Sequence, residues 1–309
     1  MDQELKTLLY AAFGQLFFAA LGILFAFLTD SDAIMLDGFF SLIGFGMSLL
    51  TMRVARLVRQ PDDQWFHFGY ARFEPLLNLV KGIVILGVCG ISLASAIQAL
   101  LHGGRELNLG PAVIYSILAV LGCFTVAVLL SRMAKKTGSP LIEVEVHTWR
   151  IDAIMSLGVL AAFAAAFFVD RTQWSHLVNY VDPSLVIVLV LAVISTPVRI
   201  VWEGLGELLG AAPKEAVQRE VEAKFEELLA GYPVTKTVLR MEKVGRTSYL
   251  LAHVVVESDL SLSGIEELDE LRRKIAAGVQ ELHPSWIVDT VFVADESLAV
   301  STGSSSRAG

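Results

Sequence analysis

Glu143 to Gly158 reads E-V-E-V-H-T-W-R-I-D-A-I-M-S-L-G, and the chain continues as V-L-A-A-F-A-A-A-F-F-V to Val169. No residue from Ala153 to Val169 is charged. The whole stretch exceeds the ~20 residues that an α-helix needs to cross a bilayer. Two glutamates, a histidine, an arginine and an aspartate nevertheless stand at its start. Ionisable groups at membrane depth are costly and mark ion pathways or helix partners. The stretch predicts a transmembrane helix with a chemical task at its entrance.

The rest of the chain supports a membrane reading. Of 309 residues, 54% are hydrophobic and only 18% charged, and the mean hydropathy is +0.61. Soluble domains carry more charge than this. Six apolar stretches are long enough to span, near 8–29, 33–57, 73–101, 111–133, 143–169 and 183–207. The first is longer than a signal-peptide core and lacks an A-x-A-like cleavage site, so it is expected to be a retained helix. With the N-terminus inside, the inner loops and helix ends hold Arg53, Arg56, Arg59, Arg72, Arg132, Lys135 and Lys136. The outer loops hold Arg105 and Arg171 beside Asp30, Asp32, Glu106, Asp170 and Asp182. The positive-inside rule then predicts both termini in the cytoplasm. A net charge of −8 without a basic patch argues against nucleic acid as a partner. Cys89 and Cys123 fall within spans and read as apolar packing residues rather than a disulfide or metal pair.

From Ala212 the composition becomes that of a soluble domain. Lys214–Leu229 has helical periodicity and is closed by Ala230-Gly231-Tyr232-Pro233. Val234–Val244 and Ser248–Val256 alternate as two strands around a turn at Gly245-Arg246-Thr247. Glu266–Leu282 is a second amphipathic helix and Ile287–Val293 a third strand. The order αββαβ predicts a small α/β domain with helices on one face of its sheet.

Local motifs then bring a family into view. Ser31 to Asp37 (S-D-A-I-M-L-D) resembles an S-x-A-x-x-x-D opening of a second span. Phe68-Gly69 with Arg72 and Glu74 resembles F-G-x-x-[KR]-x-E before a third. Asp152 to Gly158 resembles D-x-x-x-S-x-G in a fifth, and Asp182-Pro183 the D-P that begins a sixth. In this order and spacing, the motifs resemble the cation diffusion facilitator family of divalent metal/proton antiporters. That resemblance implies six transmembrane helices over residues 1–210, a cytoplasmic dimerisation domain over 211–298 and a disordered tail over 299–309. It also implies a homodimer in the inner (plasma) membrane, with a divalent cation as substrate and protons as counter-ion.

The family's metal site, usually H/D-x-x-x-D in span two and H-x-x-x-D in span five, is altered here. Phe40 and Gly44 occupy the two ligand positions of span two, and Thr148 stands four residues before Asp152. His147 is five residues before Asp152, which places it roughly 140° off the Asp152 face. Helical spacing puts Glu145, Thr148 and Asp152 on one stripe, and Asp37 with Ser41 on another. These oxygen donors suit Mn²⁺, Mg²⁺ or Fe²⁺ better than an imidazole or thiolate cage would. Each residue has a structural alternative. Asp37 is read as a ligand or a hydrogen-bonding partner of a neighbouring helix, and Glu145 as a ligand or an entrance charge. His147 is read as a ligand or an interfacial residue. Arg150 is expected to snorkel or to pair with Glu143 or Glu145. Lys81, two turns into span three, requires an acidic partner, with Asp37, Asp152 or a glutamate as candidates.

Two further sites follow from the resemblance. A loop zinc site would draw on Asp62, Asp63 and His67, although Phe66 and Tyr70 hold the expected histidine positions. Arg72 is expected to pair with Glu203 or Glu207. In the tail, His253, His283 and Asp295 are the candidate ligands, too few for a four-ligand zinc site. No nucleotide-binding loop is present, which favours coupling to an ion gradient. The expected function is efflux of a divalent cation of the Zn, Co, Cd, Mn or Fe class, without enzymatic activity or a bound cofactor. The alternatives are a transport-silent scaffold or regulatory subunit, and a carrier of a non-metal or monovalent cation.

Overall fold

In the computed structural model the described residues are 3–137, 140–257 and 264–299. The polar tail at Ser301–Gly309 and the side chain of Glu143 lie outside them. Seven long helices build the membrane part: α1 Gln3–Thr29, α2 Asp32–Leu57, α3 Phe73–Leu101, α4 Leu109–Thr137, α5 Pro140–Val169, α6 Val181–Val193 and α7 Ser195–Leu208. Together α6 and α7 make one span, so the described residues hold six helices suited to crossing a membrane. The sequence predicts an uninterrupted sixth span, but it breaks at Ile194. Pro197 accounts for this, because it has no N–H to offer the Val193 carbonyl.

By compactness the chain divides into two units, Met1–Arg53 with Val80–Val201, and Val54–Leu79 with Trp202–Gly309. The first is a helical bundle whose packing has the sense expected in lipid. Small residues such as Ala19, Ala112 and Ala119 are buried, while Phe27 (73% exposed) and Ile91 (75% exposed) point outward. Small residues allow helix backbones to approach where hydrocarbon supplies no hydrophobic drive. One such approach pairs Gly22 of α1 with Gly38 of α2: a Cβ on Gly22 would lie 2.8 Å from the Gly38 Cα. Larger side chains fill the remaining interior, with Phe18 edge-on to the buried Trp149 at 5.8 Å between centroids.

The second unit contains the αββαβ element order. Helix α7 ends in a Schellman motif, in which the Ala211 N–H reaches the Gly206 carbonyl at 2.9 Å and Gly210 adopts φ +77°. Helix α8 (Glu215–Leu229), strands β1 (Val234–Val244) and β2 (Thr247–Val256), helix α9 (Ile265–Leu282) and strand β3 (Trp286–Val293) follow. Strand β2 is central, antiparallel to β1 and parallel to β3. Its Leu250, Ala252 and Val254 share one face and are buried against Val221 and Phe225 of α8 and Leu271, Ile275 and Val279 of α9. The i, i+4, i+8 spacing on each helix supplies the apolar stripe.

This core lies wholly within residues 217–292. Residues 211–299 expressed alone should therefore give an α/β circular dichroism spectrum that a chelator leaves unchanged. Ile275→Ala in that fragment should cost about 2–5 kcal/mol in urea unfolding. A chelator-sensitive spectrum, or a loss below ~1 kcal/mol, would contradict this assignment of the core.

Candidate functional site

At the end of the bundle where α2 begins, one carboxylate organises the surrounding backbone. The buried Asp182, at the start of α6, accepts hydrogen bonds from Ser31 Oγ at 2.5 Å and from the Asp32 and Ala33 N–H groups, each at 3.1 Å. Ser31 Oγ in turn accepts the Ile34 N–H at 3.2 Å, as an N-cap residue does. The first N–H groups of a helix have no partner within it, so an anion here is doubly favoured by hydrogen bonding and by the helix dipole. Arg105 bonds Asp32 and lies 3.8 Å from Asp182, and Ser95 of α3 donates to Asp32 at 2.6 Å. Two motifs far apart in sequence, S-x-A and D-P, thus form one contact. The Arg105 and Ser95 contributions carry no local sequence pattern.

Deeper in the same unit lie the predicted cation residues. Asp37 of α2 accepts a 2.5 Å hydrogen bond from the Tyr115 hydroxyl of α4. The Gly22–Gly38 contact sets this geometry, because Gly38 follows Asp37 directly and the Tyr115 Oη lies 3.1 Å from a Cβ placed on Gly22. Asp152, near the middle of α5, is within electrostatic reach of both Asp37 and Glu145, and it remains accessible. Glu145, one of the acidic candidates for Lys81, lies within electrostatic reach of that lysine. Its Oε2 is buried and has no hydrogen-bond partner among the described residues. Cys123 of α4 is near both Asp37 and Asp152 and bonds Ser156, so it borders this group as well as packing. Tyr115 belongs to no motif in the sequence, where its one signal is that a tyrosine hydroxyl in an apolar span needs an acceptor.

The other predicted residues stand as follows. Ser41 is half-buried one turn beyond Asp37. Thr148 is exposed between Glu145 and Asp152, and His147 is exposed on a different face. Phe40 packs into the bundle core, and Gly44 is covered by Gln15, whose amide would lie 3.2 Å from a Cβ there. Arg150 bonds Ser131 of α4 at 3.2 Å. Among the described residues, no three His, Cys, Asp or Glu side chains are close enough together to hold one metal ion.

In the second unit, Asp63 is occupied within its own loop. Its Oδ2 accepts the Tyr70 hydroxyl at 2.6 Å and its Oδ1 the Trp65 and Phe66 N–H groups. The Tyr70 hydroxyl first, then these amides, hold its carboxyl below the usual aspartate range. His67 bonds the Gln64 carbonyl. Arg72 pairs with Glu242 at 2.6 Å rather than with an α7 glutamate, and Glu207 instead takes Lys243 at 2.7 Å and the Gly245 N–H at 3.0 Å. The largely buried Glu74 completes the set with Arg246 at 2.9 Å. The F-G-x-x-[KR]-x-E motif therefore receives the β1–β2 hairpin. On β2, His253 Nδ1 lies 3.1 Å from an Arg240 guanidinium nitrogen. Arginine only donates, so this nitrogen accepts and its lone pair is engaged. His283 lies 3.4 Å from Glu220, and Asp295 accepts the Ser297 N–H as a cap.

A profile of the cation efflux transmembrane domain matches residues 8–209. The chain belongs to the cation efflux family. Among curated proteins it is similar to the cation-efflux pump FieF of Escherichia coli K12 (strain DH10B), with 23% identity over 225 residues. FieF of Shigella boydii serotype 18 and of Escherichia coli O127:H6 align equally, over 72% of this chain and 71% of theirs. This cation efflux protein is thus a multi-pass membrane transporter rather than an enzyme.

Two outcomes follow from these contacts. Asp182→Ala should lower the stability of the detergent-solubilised protein by about 1.5–3 kcal/mol and Ser31→Ala by about 1 kcal/mol. The double variant should be little worse than Asp182→Ala alone, because both changes remove one network. Additive losses in thermal unfolding would show that the two residues act separately. Asp63, with its folded pKa lowered, stabilises its loop at every pH above the ordinary aspartate value of about 3.9. That contribution is lost only as pH falls through the lower folded value. Exchange protection of residues 61–72 should be flat from about pH 8 to 5 and weaker throughout in Asp63→Ala. A loss of protection already present at about pH 6 would contradict this assignment.

Proposed function

We propose that this chain exports a divalent metal cation from the cytoplasm in exchange for protons. Cation and protons share Asp152, Asp37 and Glu145 in turn. The observation that carries this reading is the group itself: Asp152 of α5 lies within electrostatic reach of Asp37 of α2 and of Glu145, and one Glu145 oxygen has no hydrogen-bond partner among the described residues. A buried carboxylate oxygen without a hydrogen bond gains by taking either a proton or a cation, even with a lysine such as Lys81 within electrostatic reach. The names of the FieF relatives are consistent with efflux. The Arg and Lys distribution supports both termini in the cytoplasm of an inner-membrane protein. Residues 1–210 form the transport part and 211–298 a domain through which two copies associate. The site offers oxygen ligands without a placed imidazole or thiolate, so the favoured cargo is of the Mn²⁺ or Fe²⁺ type, and Zn²⁺, Co²⁺ and Cd²⁺ are weaker competitors.

Proteoliposomes with an internal pH dye and an imposed gradient test this reading. Metal-driven proton flux should be present with Mn²⁺, and Asp152→Asn should reduce it to the level of empty vesicles while the protein stays folded and dimeric. Unchanged flux in Asp152→Asn removes that residue from the mechanism. Strong Zn²⁺ and Cd²⁺ preference would place His147 at the metal. Absence of flux for every cation tried would favour a transport-silent role.

A further inference from the structure

The strongest unassigned feature is a groove between α4 and α5 of about 590 Å³. Most of its length is apolar, lined by Phe124 of α4 and Ile154 and Leu157 of α5, each more than half exposed. Its other end holds Arg132, Lys135 and Arg150, all exposed. Arg150 is oriented by its bond to Ser131, which also lines the groove. No acidic side chain is among the described residues that line it.

This groove is separate from the cation residues. At about 100° per residue, Arg150, Ile154 and Leu157 fall on one side of α5, and Glu145, Thr148 and Asp152 fall on nearly the opposite side. The two functions therefore do not compete for one face. Cations gathered at one end of a groove whose remaining length is apolar match a molecule with an anionic head and a hydrocarbon tail. Basic pockets between transmembrane helices select anionic lipid headgroups by this charge complementarity.

We propose that the α4–α5 groove binds one anionic phospholipid. Its phosphate sits on Arg132, Lys135 and Arg150, and an acyl chain lies along Phe124, Ile154 and Leu157. Arginine forks take two phosphate oxygens together, and the lysine adds a point charge. Each cation near the surface adds on the order of a fivefold gain for an anionic head. The preference over a zwitterionic lipid should then exceed ~10-fold.

The test is native mass spectrometry of the full chain in a neutral detergent, titrated in parallel with dioleoyl phosphatidylglycerol and dioleoyl phosphatidylcholine. Wild type should retain phosphatidylglycerol at least ~10-fold better. The triple variant Arg132→Gln, Lys135→Gln, Arg150→Gln should bind both lipids alike. Arg132→Lys with Arg150→Lys, which keeps the charge, should retain most of the preference and shows that folding is intact. Arg53→Gln, Arg56→Gln, Arg59→Gln, an equal charge change elsewhere, should leave it unaltered. Ala153→Phe, which fills the groove, should weaken phosphatidylglycerol binding without removing any cation. Equal binding of the two lipids by wild type would overturn the proposal. So would loss of preference in the Arg53, Arg56, Arg59 control, which would mean net charge alone. Displacement of the lipid by soluble glycerol phosphate would also overturn it, since the groove would then hold only a head.

Discussion

Hydrocarbon offers no hydrogen-bonding partner, so every polar group that a membrane bundle buries must be satisfied by the protein itself. Asp182 shows how much structure this one constraint can organise. Its carboxylate answers the unpaired N–H groups at the start of α2, and those N–H groups answer its charge. Ser31 belongs to both, donating to Asp182 and capping Ile34. Arg105 and Ser95 then bring α3 and the loop after it to the same point. The beginnings of α2 and α6 are thereby joined, and the rest of α2, with Asp37, follows from there.

The same constraint distinguishes Asp37 from Asp152 and Glu145. Asp37 has a fixed partner in Tyr115, while Glu145 presents an oxygen with none among the described residues. Asp152 is accessible at mid-span, where lipid would not solvate it. Such groups belong next to a polar path. The covering of Gly44 by Gln15 keeps α2 packed at a position that carries no side chain.

In the second unit the polar contacts are of a different kind. Arg72–Glu242 and Lys243–Glu207 are partly exposed pairs, and individually such pairs contribute little. Glu74 is more enclosed and takes both the Arg246 side chain and its N–H, so it holds the hairpin turn in place more firmly. The set works by register: three acids meet three bases in one arrangement, and a shifted hairpin would leave them mismatched. Below it, the α8–α9 packing on the sheet supplies the stability that these pairs do not.

Composition and local periodicity were enough to locate the spans and the αββαβ order, because membrane length and the helix and strand repeats are properties of contiguous residues. The stripe of Glu145, Thr148 and Asp152 was legible for the same reason. The break at Ile194 was also within reach, since Pro197 stands in the sequence. Partner choice was not. Ser31 meets Asp182, and Arg72 meets Glu242, across 151 and 170 positions respectively. Tyr115 reaches Asp37 because two glycines let α1 and α2 touch. A charge in a sequence states only that it needs a partner. Which partner it finds depends on which backbones can approach, and packing of the folded helices and strands decides that.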